Sequence, residues 1–326
     1  MTRLTARGTV SVAILAAIVA ALVASVQVDR LIPGEARRDQ HPVPPPFVMF
    51  RTLTASDDHG RVAIVPLDGP LTPRHITSLS CVRVHYAGGK GLCAVPEPGS
   101  EVPQHVVYVF DKSLTRGRRI PLRGVPTRLR VAPNGRYAAI TTYAEEETPD
   151  GERLATDTVV VDLTSGAVLA DLRDFRIEND KLRPLSGPLD VGSVAFESSG
   201  DRFFAAMWTD TERYLVSGSL EERRMRTIRT GVASESLSPD QRKLVVKKLL
   251  ADGFWQLAVI DLGTWQEREL AQGPRSVDDQ VEWLDNEHVL FHAADDNTTS
   301  LWMLPIDGVN GPRVFLKDAY SGAVQH

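Results

Sequence analysis

Self-similarity at a fixed spacing constrains this chain more than any other feature. The clearest copy reads TRLRVAPNGRYAAITTY, a loop, then TVVVDLTSGAVLADL. That is a strand, a tight turn at Asn134-Gly135, a strand, a loop, a strand, a turn at Ser165-Gly166 and a strand. Asn-Gly is a strong hairpin signal because both residues tolerate positive φ. Weaker copies keep the same order, among them ASESLSPDQRKLVVKKL with FWQLAVIDLGTWQERELAQG, and VEWLDNEHVLFHAAD with SLWMLPIDGVNGPRVFLKDA. An acid ends the third strand of most copies, at Asp68, Asp111, Asp162, Asp261 and Asp307, while the fourth copy has Gly218 there. Four-stranded units at a period of roughly 40–50 residues are the mark of a β-propeller. The chain is therefore read as all-β, a propeller of six blades with seven as the alternative. The first copy, FVMFRTL followed by GRVAIVPLDGPLTPRHITSL, lacks an inner strand. Tyr320 to His326 follow the last blade where the next inner strand would begin, and are expected to complete blade one and remove a free sheet edge.

Ser238-Pro239-Asp240-Gln241-Arg242-Lys243-Leu244 resembles the S-P-D-G-K/R repeat of TolB-like and WD-like propellers, and Val131-Ala132-Pro133-Asn134-Gly135-Arg136-Tyr137 is a second match. Ser199-Gly200-Asp201-Arg202 and Asp285-Asn286-Glu287-His288 depart from it. The resemblance implies a fold and no activity. TolB relatives place an α/β domain before the propeller and prolyl-oligopeptidase relatives a hydrolase domain beside it; neither is expected in this chain.

Ahead of the repeats, Gly8 to Val28 carry no charge. About 21 residues at about 1.5 Å each span roughly 30 Å, a hydrocarbon core. Arg3 and Arg7 precede the stretch, and positive flanks stay cytoplasmic, so the body is expected to face outward. The alternative is a signal peptide cleaved near Ala24-Ser25, giving a secreted protein. Pro42, Pro44, Pro45 and Pro46 favour an extended spacer. The division is a signal-anchor over 1–28, a Pro-rich linker over 29–46 and a propeller over 47–326. The localisation is the cell membrane, single-pass, with the propeller extracytoplasmic.

Net charge is only -5 over 326 residues, without the basic excess of a general nucleic-acid binder, so no nucleic-acid partner is expected. Export favours a disulfide between the two cysteines, Cys81 and Cys93. A hairpin centred near Ala87 sets them opposite each other, whereas a turn centred at Gly89 pairs Cys93 with His85. No G-x-S-x-G, H-E-x-x-H or phosphate-loop motif occurs, so no catalytic residue, cofactor or metal ligand is assigned. His288 and His292 lie about 13 Å apart along one strand, too far to share a metal. Trp208, Trp255, Trp283 and Trp302 are read as packing between blades, with ligand stacking as the alternative.

A propeller binds through the loops that join second to third strands, on the face where the blade-to-blade connections also open. Those loops are acidic. The candidate partner-binding residues are Asp57, Asp58, Glu145, Glu146, Glu147, Asp150, Asp210, Asp252 and Asp295, with Arg176 in the connection leaving blade three. Blade three has the two longest insertions, Ala144–Thr156 and Arg173–Asp190, both expected on this face. The reading is a non-enzymatic extracytoplasmic binding or scaffold protein, in envelope assembly or sensing, with a protein partner bearing a basic patch. The alternative is a propeller enzyme of lactonase, lyase or glycosidase type, which acids and histidines converging on the channel would favour.

Overall fold

The computed structural model describes residues 43–326 apart from 69–72, 100–103, 149–150, 179–188, 211, 252–253, 272, 275–278 and 296–297. The expected membrane segment and spacer, up to residue 42, lie outside the described residues. Among those described, no helix is long and apolar enough to cross a membrane.

Six sheets, antiparallel except for one added edge strand in blade four, follow one another along the chain, and their inner strands neighbour each other in a ring. Blade two is typical, with strands Arg83–Ala87, Lys90–Pro96, His105–Asp111 and Arg116–Pro121 from the inside outward. Six apolar clusters hold the ring, each lying between consecutive blades. The second strand of blade five shows how residues divide. Leu244 and Val246 pack toward blade four, and Val245 packs toward blade six. A middle strand covered on both faces needs an unbroken apolar run, not alternation. The turn glycine predicted at Gly135 is required: its φ is +68°, and a Cβ there would stand 2.3 Å from the Gly88 carbonyl oxygen of the neighbouring blade's turn.

The ring closes as the repeat predicted. Ala319–Gln325 pairs antiparallel with Phe47–Thr52, from Phe47 opposite Gln325 to Thr52 opposite Ala319, and forms the inner strand of blade one. Both ends of the propeller thus share one sheet.

Four of the five third-strand acids cap the turn that follows, and the turn after Asp68 lies outside the described residues. Asp111 accepts the Ser113 N–H, Asp162 those of Thr164 and Ser165, Asp261 those of Gly263 and Thr264, and Asp307 those of Val309 and Asn310. Side-chain or backbone donors of the turn hold each carboxyl below its ordinary range. In blade four the equivalent residue is Ser219, not Gly218: its hydroxyl accepts the Glu222 N–H at 3.2 Å. Gly218 lies one position earlier, where a Cβ would collide with the Phe203 ring.

Cys81 and Cys93 are bonded, with Cα atoms 5.3 Å apart. Neither register expected for the hairpin holds. The turn is Gly88-Gly89, and Cys93 faces Val84. Cys81 sits ahead of the inner strand, on the link from blade one, where the Val82 N–H donates to the Ala94 carbonyl. That bond lays the link beside the second strand of blade two, and the disulfide fastens it there.

Blade three departs most from expectation. Ala144–Thr156 is not a loop. Tyr137–Thr148 and Gly151–Asp162 pair as one continuous hairpin out to Thr148 opposite Gly151. Arg173–Asp190 does not stay on the upper face either, the face of the second-to-third-strand loops and blade-to-blade connections. After a short 3-10 turn, Leu172–Asp174, the strand Arg176–Glu178 adds parallel to the outer strand of blade four, beginning opposite Arg224 at that strand's lower end. Arg176 therefore lies on the outer rim near the lower face, away from the acidic loops.

Two outcomes test this architecture. Deleting Tyr320–His326 exposes the Phe47–Thr52 edge and is expected to lower the melting temperature by about 10 °C or more, each lost kcal/mol being worth about 2–4 °C in a domain of this size. Unchanged melting would contradict closure. The double replacement Cys81→Ser with Cys93→Ser is expected to cost about 3 kcal/mol by the chain-entropy model of loop closure. A urea midpoint that does not move would count against that contribution.

Candidate functional site

The inner strands run from the upper face to the lower one, and alternate positions on them differ in character. Val84 and Tyr86 pack on blade one, Leu129 and Val131 on blade two, Val281 and Trp283 on blade five. The intervening positions are Arg83 and His85, Arg128 and Arg130, Gln280 and Glu282. Their side chains turn the other way and meet in the channel.

The upper layer centres on Asp279, fully buried just ahead of the blade-six inner strand. Arg83 Nη1 donates to its Oδ1 at 2.7 Å, and Arg83 Nη2 donates to the Tyr320 hydroxyl at 2.7 Å. The Gly322 N–H points at His292 Nε2, 3.3 Å away, which leaves the imidazole proton on Nδ1, 3.5 Å from Asp279 Oδ2. Lys247 Nζ donates to the Asp279 carbonyl. Burial works to raise the Asp279 carboxyl, but Arg83, His292 and Arg128 together outweigh it and hold it at about 2. Burial lowers His292 to about 4 against the pull of Asp279, so this histidine is neutral.

The lower layer centres on Glu282. Its Oε1 accepts from Arg130 Nη1, from Gln280 Nε2 at 3.1 Å and from His85 Nε2 at 3.3 Å. His85 Nδ1 accepts the Val131 N–H, which fixes the Nε2–H tautomer. Burial disfavours charge on Glu282, yet Arg130 and His85 keep its carboxyl below the usual range. Between the layers and blade four, Glu235 is buried, and among the described residues only Ser193 Oγ donates to it, at 2.8 Å. Burial pushes its carboxyl up to about 8.

His85, Arg130 and Glu282 form the floor of a cavity of about 340 Å³ that opens at the lower face, walled by the first turns of blades two to five and by Val324 to His326. Acids and histidines do converge on the channel, but they are committed to one another. Asp279 and Glu282 are each held by an arginine, and His85 and His292 each meet a backbone N–H, whereas Glu235 meets the Ser193 hydroxyl instead. Among the described residues, no group of three His, Cys, Asp or Glu side chains is arranged to hold a metal ion.

Of these channel residues, the sequence had drawn attention to the chemistry of His292 alone, and there only as too far from His288 to share a metal. The signal was there, as ionisable residues at alternate positions of the first strand of a copy: R-V-H, R-L-R, Q-V-E. Apart from Arg176, the described residues that were singled out as partner-binding are spread round the upper rim. Asp57 and Asp210 are exposed on blades one and four, and Asp58 is half-buried beside Asp57. Glu145 and Glu147 are exposed on the blade-three hairpin, whereas Glu146 pairs with Arg153 at 2.7 Å and Arg173 at 3.5 Å. Asp295 closes its strand opposite Thr298. Asp150 and Asp252 lie outside the described residues. His288 is at a lower turn beside Asp285, while His292 belongs to the channel. Of the tryptophans, Trp283 is buried and donates to the Ser236 carbonyl, whereas Trp208, Trp255 and Trp302 are half-buried.

No family model matches the chain, and no curated protein matches it by sequence. Solved structures do match. TolB from Acinetobacter baumannii aligns over 86% of this chain and 67% of its own, with TM-score 0.62 and 13% identity. A putative TolB from Agrobacterium tumefaciens aligns over 84% and 89%, with TM-score 0.51 and 12% identity. The fold is that of a TolB-like six-bladed β-propeller. A chain of a nidogen/laminin complex also matches, over 86% of this chain and 97% of its own, with TM-score 0.54 and 9% identity. At such identities the likeness is one of fold.

The channel of this TolB-like propeller makes a pH prediction. Glu235 ionises above about 4.5 when unfolded but only near 8 when folded. Its effect on stability is therefore most favourable below about 4.5 and is lost as pH rises toward 8. Asp279 acts oppositely: its contribution is present above about 3.8 and disappears as pH falls toward 2. Glu235→Gln is expected to flatten the decline in melting temperature between pH 4.5 and 8. An equal slope in both proteins would show that Glu235 does not titrate in this way.

Proposed function

We propose that this protein is a non-enzymatic protein-binding module, anchored by residues 8–28 with its propeller outside the cytoplasm, where it serves envelope assembly or sensing. The single observation that carries the reading is the blade-three hairpin. Residues beyond Tyr143 extend past the inner strand of their own blade, whose pairing stops at Val125 opposite Tyr143. Arg153 clamps the extension to the entry of blade four through Asp190, at 3.0 and 3.2 Å, and Asp190 also accepts the Thr156 N–H. Cross-strand pairing puts Glu145 beside Leu154, which is 62% exposed, with Glu147 next along the same face. A rigid ribbon carrying two unshielded acids and an apolar side chain suits a partner with a basic patch around an apolar contact. The structural relative from a nidogen/laminin complex supports the same view, since a chain of this shape occurs there in a protein–protein assembly.

A propeller enzyme is the second reading, and the convergence of His85, Arg130 and Glu282 beneath an open cavity is what favours it. Against it stand the mutual commitments of those side chains, which leave no uncommitted base at the floor.

Charge reversal separates the two. Glu145→Lys with Glu147→Lys leaves Glu146, Arg153 and Arg173 in place, so melting should be unchanged. Capture of partners by the tagged full-length chain from its own envelope is expected to fall about tenfold, the factor for about 1.4 kcal/mol. Undiminished capture would remove this hairpin as the docking point.

A further inference from the structure

On the upper face, at the seam of blades four and five, one arginine is held by two indoles. Arg213 Cζ lies 5.5 Å from the centroid of the Trp208 ring and 5.8 Å from that of Trp255. Trp208 ends the second strand of blade four directly opposite Arg213, and Trp255 opens the third strand of blade five. The backbone is shaped for this stack: a Cβ on Gly192 would come within 2.5 Å of the Trp208 ring. Neither indole belongs to an apolar cluster between blades.

Charge sets Arg213 apart from its neighbours. Across the same seam Arg229 and Lys248 share Glu267, at 3.1 and 2.6 Å. Among the described residues Arg213 makes no ion pair, and its guanidinium lies over both rings. Aromatic faces that cover a guanidinium leave its N–H fork free for a planar, two-oxygen acceptor. Leu249 stands opposite Trp255 in the strand register and Leu250 follows; they are 46% and 39% exposed. Trp, Arg and exposed aliphatic side chains in one patch form the composition that carries most of the energy in protein interfaces.

We infer that the Trp208–Arg213–Trp255 stack is a carboxylate receptor within the docking surface, and that it takes an acidic group flanked by an aliphatic side chain on a protein partner. Arg213 receives the carboxylate, and Leu249 with Leu250 receive the aliphatic group. The inference rests on the protein-binding reading above and adds a second anchor to it. The upper face is then two-signed, acidic on the blade-three hairpin and cationic at this seam, which fixes the orientation of a partner of complementary polarity.

A small probe tests the receptor without the partner. The full-length chain is titrated with N-acetyl-leucine, its uncharged amide N-acetyl-leucinamide, acetate and inorganic phosphate, while tryptophan emission is followed. A saturable change with N-acetyl-leucine is expected, at least about tenfold weaker with the amide and with acetate, and lost in Arg213→Gln. Arg213→Lys should weaken it, because the planar fork is gone. Equal responses to acid and amide would overturn the proposal, as would a response to phosphate or acetate matching that to N-acetyl-leucine. If Arg213→Gln melts early, the comparison of acid with amide on the unaltered chain still decides. The hairpin charge reversal does not touch this site, so failure of partner capture and failure of the receptor are read separately.

Discussion

Closure of the ring is the constraint on which everything else in this molecule depends. No blade has a core of its own; each apolar cluster is built from two neighbours. A sheet apolar on both faces is stable only between two others, and a linear row of six would leave two such faces in water. Pairing Ala319–Gln325 with Phe47–Thr52 removes both exposed ends at once, and with them the free edges that invite aggregation. Val48 and Phe50 then pack against Leu290, Leu301 and Met303 of blade six, residues more than two hundred positions away in the chain.

The charged channel follows from that closure. Arg83 and Asp279 are 196 residues apart, and Arg130 and Glu282 are 152 apart, yet each charge meets its partner because the ring brings blades two, three, six and one to a common axis. Breaking one member of such a pair leaves an uncompensated buried charge, which is far more damaging than the pair is stabilising. Both pairs end on the entry and the inner strand of blade six, a strand of two residues, and so hold it to blades two and three. The lower cavity is what remains where this packing ends.

Much of the fold was legible in the residues. Asn134-Gly135, the recurring acids and the incomplete first copy led to blade number, turn positions and the closing strand, because turn chemistry and strand length are local properties. Local rules failed where two segments compete for one edge. Ala144–Thr156 has loop composition, yet it continues as paired strand, since each half finds its hydrogen bonds in the other. Arg176 was assigned to the upper face by counting connections, but the outer edge of blade four offered open backbone groups to Arg176–Glu178. Cys81 and Cys93 were rightly paired for a partly mistaken reason: the link from blade one, not the hairpin register, brings them together.

By itself, then, the sequence determined the all-β class, the four-stranded unit, its repetition and its ring closure. Each of these is written in residues close together in the chain or in a pattern repeated along it. It did not reveal the channel network, the isolation of Glu235, or the stacking of Arg213 between Trp208 and Trp255. Those depend on which alternate face of each inner strand turns toward the axis and which strand ends meet at a seam. Only the closed tertiary structure decides that, because side chains from distant blades acquire a common environment only once the ring has formed.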